Sequence, residues 1–592
     1  MSETVGQGFE RAAAGRPGEP ALRFKRDGEW QVISWGRYRE LVHRAARGFI
    51  ALGLQPGQAV TIAGFNRPEW FVADLAAILA GGVPAGIYTS LTPEQCGYIA
   101  GHAGAVVSVV EDREQLDKML AVREGLPALE RLVLVDGDGD GDGNGDGVIG
   151  WDELLALGDE VDPAELDRRM AAQRPEDLAT LIYTSGTTGP PKAVMLSHRN
   201  VTWTADTLIG HLGIGAGEQF LSYLPLSHIA EQMVSLHAPI RVGACTAFAE
   251  SLEKLPRNLA EVRPTVFFAV PRVWEKVQAA ISAAGAQAPP LRRRIAAWAR
   301  RQGLAGGYAH QSGRRPPLGY GLARRLVFSK VRRKLGLDRA RICACSAAPV
   351  TLDTLEFFLS LGIPIFEIYG MSEVTGPGTL CGPDRYRTGR AGFAIPGTEL
   401  EIAADGEILM RGPHVFMGYY KDPEATAETL DADGWVHSGD IGELDEDGFL
   451  KVTDRKKELI ITSGGKNIAP APIEARLRSI PAIAQAVVIG DGHNYLTALL
   501  TLDPERVPAE AEAAGSPAGD PEAAAVCPKI RDRIEQQVEE VNRDLAGVET
   551  IKRFTILPGE LSIEGGELTP TMKIKRRVVH EKYAPQIEAL YT

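Results

Sequence analysis

The sequence predicts an α/β protein. The expected form is a large N-terminal domain of mainly parallel sheets flanked by helices, a small β-rich subdomain, and a small α+β C-terminal domain. Three observations carry that expectation. Apolar strand-like runs alternate with helical patterns from about residue 20 to residue 373, the rhythm of parallel strands joined by helical crossovers. Residues 406 to 448 change to short strands and glycine turns, GEILMRGPHVFMGYYKDPEAT and GWVHSGDIGELDEDGFL. Beyond the charged hexapeptide DRKKEL, which begins at Asp454, strands and a long helix resume as a second folding unit. A chain of 592 residues exceeds what one core supports, and the expected division is 1–453, a hinge at 454–459, and 460–592.

In order along the chain, ALRFKRDGEWQVISW is strand-like around an RDGEW turn, and WGRYRELVHRAARGFIALGL is a helix that stops at a glycine-proline break. AVTIAGFNRPEW, WFVADLAAILAGGVPAGI, VVSVVED and RLVLVDG continue the alternation. Residues 136–153, DGDGDGDGNGDGVIGWDE, cannot bury a core and read as an acidic loop. One register nevertheless matches a calcium loop: Asp142, Asn144, Asp146, Gly147, Ile149 and Glu153 fall at positions 1, 3, 5, 6, 8 and 12. The repeat generates the first half of that match unaided, and RLVLV reads as a strand where a calcium loop needs an entering helix, so the acidic loop is favoured over Ca²⁺ binding. LSYLPLSHIAEQ and TVFFAVPRVWEKV are apolar strands giving way to helices. RICACSAAPVTLDTLEFFLSLGIPIFEIYGMSE is a small-residue turn, a helix, and a buried strand with a polar end. Residues 508–525 read as a Pro/Ala/Gly/Glu linker before the helix KIRDRIEQQVEEVNRDLAGV.

Composition narrows the function. The chain is 44% hydrophobic and 24% charged, ordinary for a globular protein. No run approaches about 18 consecutive apolar residues, and MSETVGQGFERAAAGRPGEP lacks the basic start and apolar stretch of a secretion signal. Cys96, Cys245, Cys343, Cys345, Cys381 and Cys527 show neither zinc-like pairing nor a disulfide spacing, which favours a reducing compartment. The expected location is cytoplasmic, with peripheral contact at the inner face of the membrane left open. A net charge of −13 argues against general nucleic-acid binding. A basic segment at 290–335 is read first as a solvated helical face, with contact to anionic lipid or CoA phosphates as the alternative.

The chemistry gathers around DLATLIYTSGTTGPPKAVMLS, residues 177–197. A buried strand ends at Tyr183, and the hydroxyls of Thr184, Ser185, Thr187 and Thr188 with Gly186 and Gly189 form a loop able to wrap phosphates, Lys192 adding a positive charge. The Walker spacing is absent and a strand-like run follows, so the phosphate grip is a strand–loop–strand device. Taken alone, so short a pattern is equally a surface hairpin. Tyr369, Gly370, Ser372 and Glu373 lie at the carboxyl end of a predicted strand, where parallel sheets bind ligands. A tyrosine can stack on adenine, a serine can donate to phosphate, and a glutamate can hold Mg²⁺.

YTSGTTGPPKAVMLSH resembles the signature loop of the adenylate-forming enzymes, and the resemblance extends over nearly the whole chain except the acidic loop. Through LPLSHIAEQ, CSAAPVTLDTLEFF, DRKKELIITSGGKN and GDGHNYLTALLTLD the sequence is similar to the long-chain fatty-acid–CoA ligases. That likeness implies a role for His228 in the nucleotide and acyl cleft, for Asp440 in SGD as ribose ligand, and for Arg455 in reaching ribose and phosphate. It further implies a mobile C-terminal lid hinged at Asp454, and a Ser463, Gly464, Gly465, Lys466 loop passing the pantetheine arm of CoA. TPTMKIKRR resembles the family's C-terminal lysine motif; Met572 replaces the usual glycine, which leaves Lys573 and Lys575 both open as the reactive lysine. The implied co-substrates are fatty acid, ATP and CoA, with Mg²⁺, and the oligomeric state is open between monomer and homodimer. Two rivals stand beside a ligase: an acyl-AMP ligase that delivers to a carrier protein, and a non-catalytic, calcium-responsive lipid-binding protein.

Overall fold

The computed structural model describes residues 3–137, 147–184, 190–464, 466–569 and 573–592. Its largest sheet has seven strands in the order Val148–Gly150, Arg131–Leu134, Ala105–Val110, Ala59–Ala63, Val83–Ile87, Leu178–Thr184 and Lys192–Ser197. All neighbours are parallel until the last pair, which is antiparallel. The run Ala59–Ala63 is buried at every position, as expected for a strand covered by helices on both faces. The helix Pro68–Leu79 is buried all round beside it.

A second sheet runs Val266–Ala269, Ile342–Cys345 and Phe366–Met371 in parallel, then Gly376–Leu380 and Phe393–Ala394 antiparallel. A third combines Gln219–Ser222, Cys245–Phe248 and Pro20–Arg26 in parallel, with Glu29–Ser34 folded back as a hairpin. The β-rich subdomain is the antiparallel meander Glu399–Ile402, Glu407–Arg411, Val436–Leu444 and Leu450–Arg455. The C-terminal lobe holds the sheet Ile483–Ile489, Leu496–Leu502, Ile551–Ile556 over a separate apolar core that includes Ile473, Leu477 and Ile534.

Three local expectations are refined. The segment read as a linker at 508–525 contains the helices Val507–Ala513 and Pro521–Ala525, and Val507, Ala511 and Ala524 are buried in the C-terminal core. Its alanines supply helix propensity and one turn-spaced apolar pair, which outweigh the proline and glycine breaks. Asp454 lies inside the strand Leu450–Arg455, in register with Ile441, so the charged hexapeptide starts within a sheet. Glu153 is exposed in the first turn of the helix Trp151–Glu160, where Asp152 and Glu153 face the positive end of the helix dipole.

Candidate active site

The phosphate loop is closed at its base by Thr184, paired with Lys192, and the Thr184 hydroxyl donates to the Lys192 carbonyl at 3.3 Å. Ser185, Gly186, Thr187, Thr188 and Gly189 lie outside the described residues. The Lys192 ammonium stands 4.9 Å from the centroid of the Tyr419 ring, and the Tyr419 hydroxyl donates to Glu373 Oε1 at 2.6 Å. One tyrosine therefore links the base of the phosphate loop to the carboxylate proposed for the metal. The sequence reading missed Tyr419. Its only signal was membership of the GYYKD turn, and that turn is brought home by backbone bonds: Met417 N–H donates to Met195 O at 2.9 Å and Phe416 N–H to Glu373 O at 2.9 Å.

Glu373 sits in a 3₁₀ turn, Ser372–Val374, at the end of the strand Phe366–Met371, and both Ser372 and Glu373 are buried. Burial raises the Glu373 carboxyl above its ordinary range; the Tyr419 hydroxyl and the Lys573 charge pull it back. Gly370 is required by close approach, since a Cβ there would stand 1.8 Å from the Gly376 carbonyl oxygen. The register shifts between Tyr369 and Gly370, so the strand end is turned where its polar residues emerge.

Tyr369 donates through its hydroxyl to Asp440 Oδ2 at 2.8 Å. Asp440 follows Gly439, whose φ of 71° is the left-handed conformation that the SGD turn demands, and Asp440 N–H donates to Ser438 Oγ at 3.1 Å. The register of the meander sets Asp440 opposite Arg455, with Arg455 Nε 3.5 Å from Asp440 Oδ1. Burial lifts the Asp440 carboxyl, and the Arg455 charge opposes that shift.

His228 precedes a short helical turn and its Nδ1 accepts from Ala230 N–H at 3.1 Å, which leaves the ring proton on Nε2. Burial, then the Lys573 charge, pushes the imidazole down to about 4, so it is neutral through the physiological range. Three residues on, Glu231 is a buried carboxylate that accepts from Ser222 Oγ and Ser235 Oγ at 2.7 Å each and from Tyr223 N–H at 3.2 Å. Burial raises it to about 7. This network ties the end of the strand Gln219–Ser222 to the π-helical turn Gln232–His237 and frames the loop that carries His228.

Lys573 enters this group from the C-terminal lobe. Its N–H donates to Thr569 Oγ1 at 3.0 Å and Thr569 N–H donates to Lys573 O at 2.8 Å; residues 570–572 lie outside the described residues. Burial, then the Arg455 charge, depresses its ammonium to about 8, against the attraction of Asp440, Glu373 and Glu458. Lys573, not Lys575, is the lysine whose charge reaches His228, Glu373 and Asp440. Arg576 pairs with Glu458 at 3.2 Å and with Glu474 at 2.8 Å.

Other predicted residues are not in this group. Ser463, Gly464 and Lys466 are exposed on a hairpin between Ile460–Ile461 and Asn467–Ile468, and Ser463 N–H donates to His493 O at 2.9 Å. Gly465 lies outside the described residues. Asp454 is buried, accepts from Arg455 N–H at 2.6 Å and Ala471 N–H at 3.3 Å, and is raised by burial to about 6. Asp142, Asn144 and Asp146 also lie outside the described residues, and no cluster of three or more His, Cys, Asp or Glu suited to a metal occurs among the described residues.

A model of AMP-binding enzymes matches residues 9–420, and a model of the AMP-binding enzyme C-terminal domain matches residues 457–592. The chain belongs to the AMP-binding enzyme family. It is 42% identical to the long-chain-fatty-acid–CoA ligase ACSBG2 of Xenopus laevis, over 96% of this chain and 81% of that protein. It is 37% identical to ACSBG2 of Homo sapiens over 98% of this chain and 92% of that protein. Among solved structures, the A domain of carboxylic acid reductase from Segniliparus rugosus, in complex with AMP and a co-purified carboxylic acid, superposes with a TM-score of 0.77. It is 22% identical over 100% of this chain and 94% of that chain. This AMP-binding enzyme shares that fold.

Proposed function

We propose that the protein is an ATP-dependent long-chain fatty acid–CoA ligase, which joins a fatty carboxylate to AMP and then passes the acyl group to the thiol of CoA. The observation that carries this reading is that Arg455 stands 3.5 Å from Asp440 at the end of the meander while the charge of Lys573, from the smaller lobe, acts on Glu373, Asp440 and the neutral His228 of the larger one. A carboxylate is a poor electrophile because it is already anionic. One carboxylate oxygen attacks the α-phosphorus of ATP, forming a P–O bond while the bond to the bridging oxygen breaks and pyrophosphate leaves. Charge on the reacting phosphate is countered by the ammonium groups of Lys573 and Lys192 and by the hydroxyl loop at 184–189. Asp440 accepts the ribose hydroxyls, Arg455 reaches ribose and phosphate, Tyr369 packs on adenine, Ser372 donates to phosphate, and His228 donates through Nε2. Glu373 would offer the hard oxygen that suits Mg²⁺ carried by the triphosphate. When bound, the ion neutralises phosphate charge.

In the second step the CoA sulfur attacks the acyl carbonyl, AMP departs, and the thiol proton passes to solvent. The lid, residues 460–592, turns about Asp454 so that Lys573 leaves and the Ser463–Lys466 loop receives the pantetheine arm. The exposure of that loop supports this assignment.

The test is AMP formation from acids of graded length, with and without CoA. Strong CoA dependence and preference for long chains are expected. Turnover of an aromatic acid with failure on every fatty acid overturns the substrate assignment, and AMP release indifferent to CoA favours delivery to a carrier protein.

A further inference from the structure

We propose that the surface formed by residues 290–335 docks the protein onto an anionic lipid bilayer. Between these positions the sequence has thirteen Arg and Lys residues and no Asp or Glu, in a chain whose net charge is −13. The segment folds as the helix Pro290–Gln311, the turn Tyr320–Ala323, a π-helical turn Arg324–Phe328 and the helix Ser329–Leu335. Twelve of the thirteen cations are exposed, Arg332 being the exception. Arg332 donates to the carbonyls of Leu337 and Ala340, and Arg300 donates to Ser360 Oγ. Among the described residues none of the thirteen forms an ion pair, although arginines elsewhere in the chain do so freely.

The apolar residues make the surface more than a charged face. Leu291, Ile295, Tyr308, Leu318, Leu322 and Leu326 are six of the fourteen large hydrophobic side chains exposed among the described residues. Leu291 and Ile295 stand four apart on one side of the helix Pro290–Gln311, Leu318 lies in the turn before Tyr320, and Leu322 and Leu326 follow it in the helical turns 320–328. Gly319 abuts Trp298 and Gln302, which lays the leucine-bearing segment against the long helix. Exposed cations and exposed aliphatic groups thus alternate along the same segment.

That combination selects the partner. A nucleic acid or the phosphates of CoA satisfy the arginines and leave the leucines without apolar contact. A bilayer satisfies both, with arginines at the headgroups and leucines in the acyl boundary. The acidic remainder of the molecule is repelled by the same surface, which fixes the orientation of docking. The purpose rests on the proposed ligase activity, because a long-chain acid partitions into the bilayer and docking brings the enzyme to its store. The physical claim about docking does not.

Flotation with vesicles of phosphatidylcholine, alone or mixed with phosphatidylglycerol, tests the proposal. Wild-type protein is expected to float only with the mixed vesicles. The combined Arg292→Glu, Arg293→Glu and Arg294→Glu variant lowers binding at least roughly 100-fold, at about fivefold for each cation removed. Combined Leu318→Ser, Leu322→Ser and Leu326→Ser lowers it at least about tenfold, since three buried side chains are lost from the acyl boundary. Both variants keep the wild-type melting temperature and AMP formation from oleate supplied on albumin. Absence of wild-type binding to mixed vesicles, equal binding to both lipids, or indifference to both variants overturns the proposal. A raised KM for CoA with unchanged flotation assigns the surface to CoA and also overturns it. Flotation requires no turnover, so failure of the ligase reading leaves the vesicle result standing on its own.

Discussion

Lys573 has the residue-scale property on which the proposed chemistry turns. Burial and the neighbouring Arg455 charge hold its ammonium at about 8 in the free enzyme. The depressed value means that the charged form is present below pH 8 and is lost as pH rises through it. Adenylation kcat/KM, which reports the free enzyme, is therefore expected to fall above about pH 8, at a pH where an unperturbed lysine is still charged. Arg455→Leu lowers kcat/KM but moves that falling limb to higher pH, because one of the two opposing causes is gone; a limb that stays put in a pH–rate profile contradicts the assignment. His228, pushed down to about 4, contributes no titration in this window. Lys573 was visible in the sequence as part of TPTMKIKRR, though choosing it over Lys575 needed the fold. Tyr419 was not visible, because its contact with Glu373 joins residues 46 apart and no local pattern announces it.

At the scale of elements, the site is built from strand ends held by specific locks. The clearest is Glu231, where Ser222, Ser235, Tyr223 N–H and, more distantly at 3.4 Å, Asn66 Nδ2 all donate to a single oxygen beside the loop of His228. Glu231→Ala strands the three nearer donors without an acceptor and is expected to destabilise the large lobe by about 3 kcal/mol or more, at roughly 1 kcal/mol or more for each. Glu231→Gln keeps one acceptor oxygen and costs less. Thermal unfolding of the large lobe decides between this and a passive role, for which the two variants lose equally. The sequence placed LPLSHIAEQ after a strand and singled out His228, but the lock depends on Ser222 and Ser235 lying on either side of it. The residue proposed as hinge shows the same limit. Charge in DRKKEL marks a boundary, yet Asp454 is itself strand-paired and accepts from Ala471 N–H, so turning the lid about it costs a backbone contact that the sequence does not display.

For the whole molecule, the relevant fact is that one functional group belongs to the smaller lobe while its partners belong to the larger. Among the described residues few charged contacts bridge the two; Arg272 on the large lobe stands 3.4 Å from Asp503 on the small one. Such a half-exposed pair is worth little, about 1 kcal/mol at most. The closed arrangement also places the Lys573 ammonium where burial opposes its charge, a cost that the phosphates of ATP offset. Closure is thus expected to follow nucleotide. Lys573→Ala should lower pyrophosphate exchange with oleate by about 100-fold or more, in the range of a lost transition-state charge, while thioester formation from supplied oleoyl-AMP stays within about threefold. Equal losses in the two half-reactions would contradict a role confined to the first.

The sequence by itself determined the alternation of strands and helices, the strands on either side of the TSGTTG segment, the SGD and YGMSE turns, and the second apolar core. Each rests on periodicity or on residue types that few backbone conformations accept, and both are local. Tertiary structure alone decided what converges. The charge of Lys573 acts on Glu373 and Asp440 from the other lobe, while Tyr419 bridges Lys192 and Glu373 and Arg455 faces Asp440 because strand register and chain packing bring distant positions together. Exposure, too, was beyond the linear text. The leucines of 318–326 look like ordinary core until the fold leaves them facing outward among arginines, since burial depends on what the rest of the chain covers.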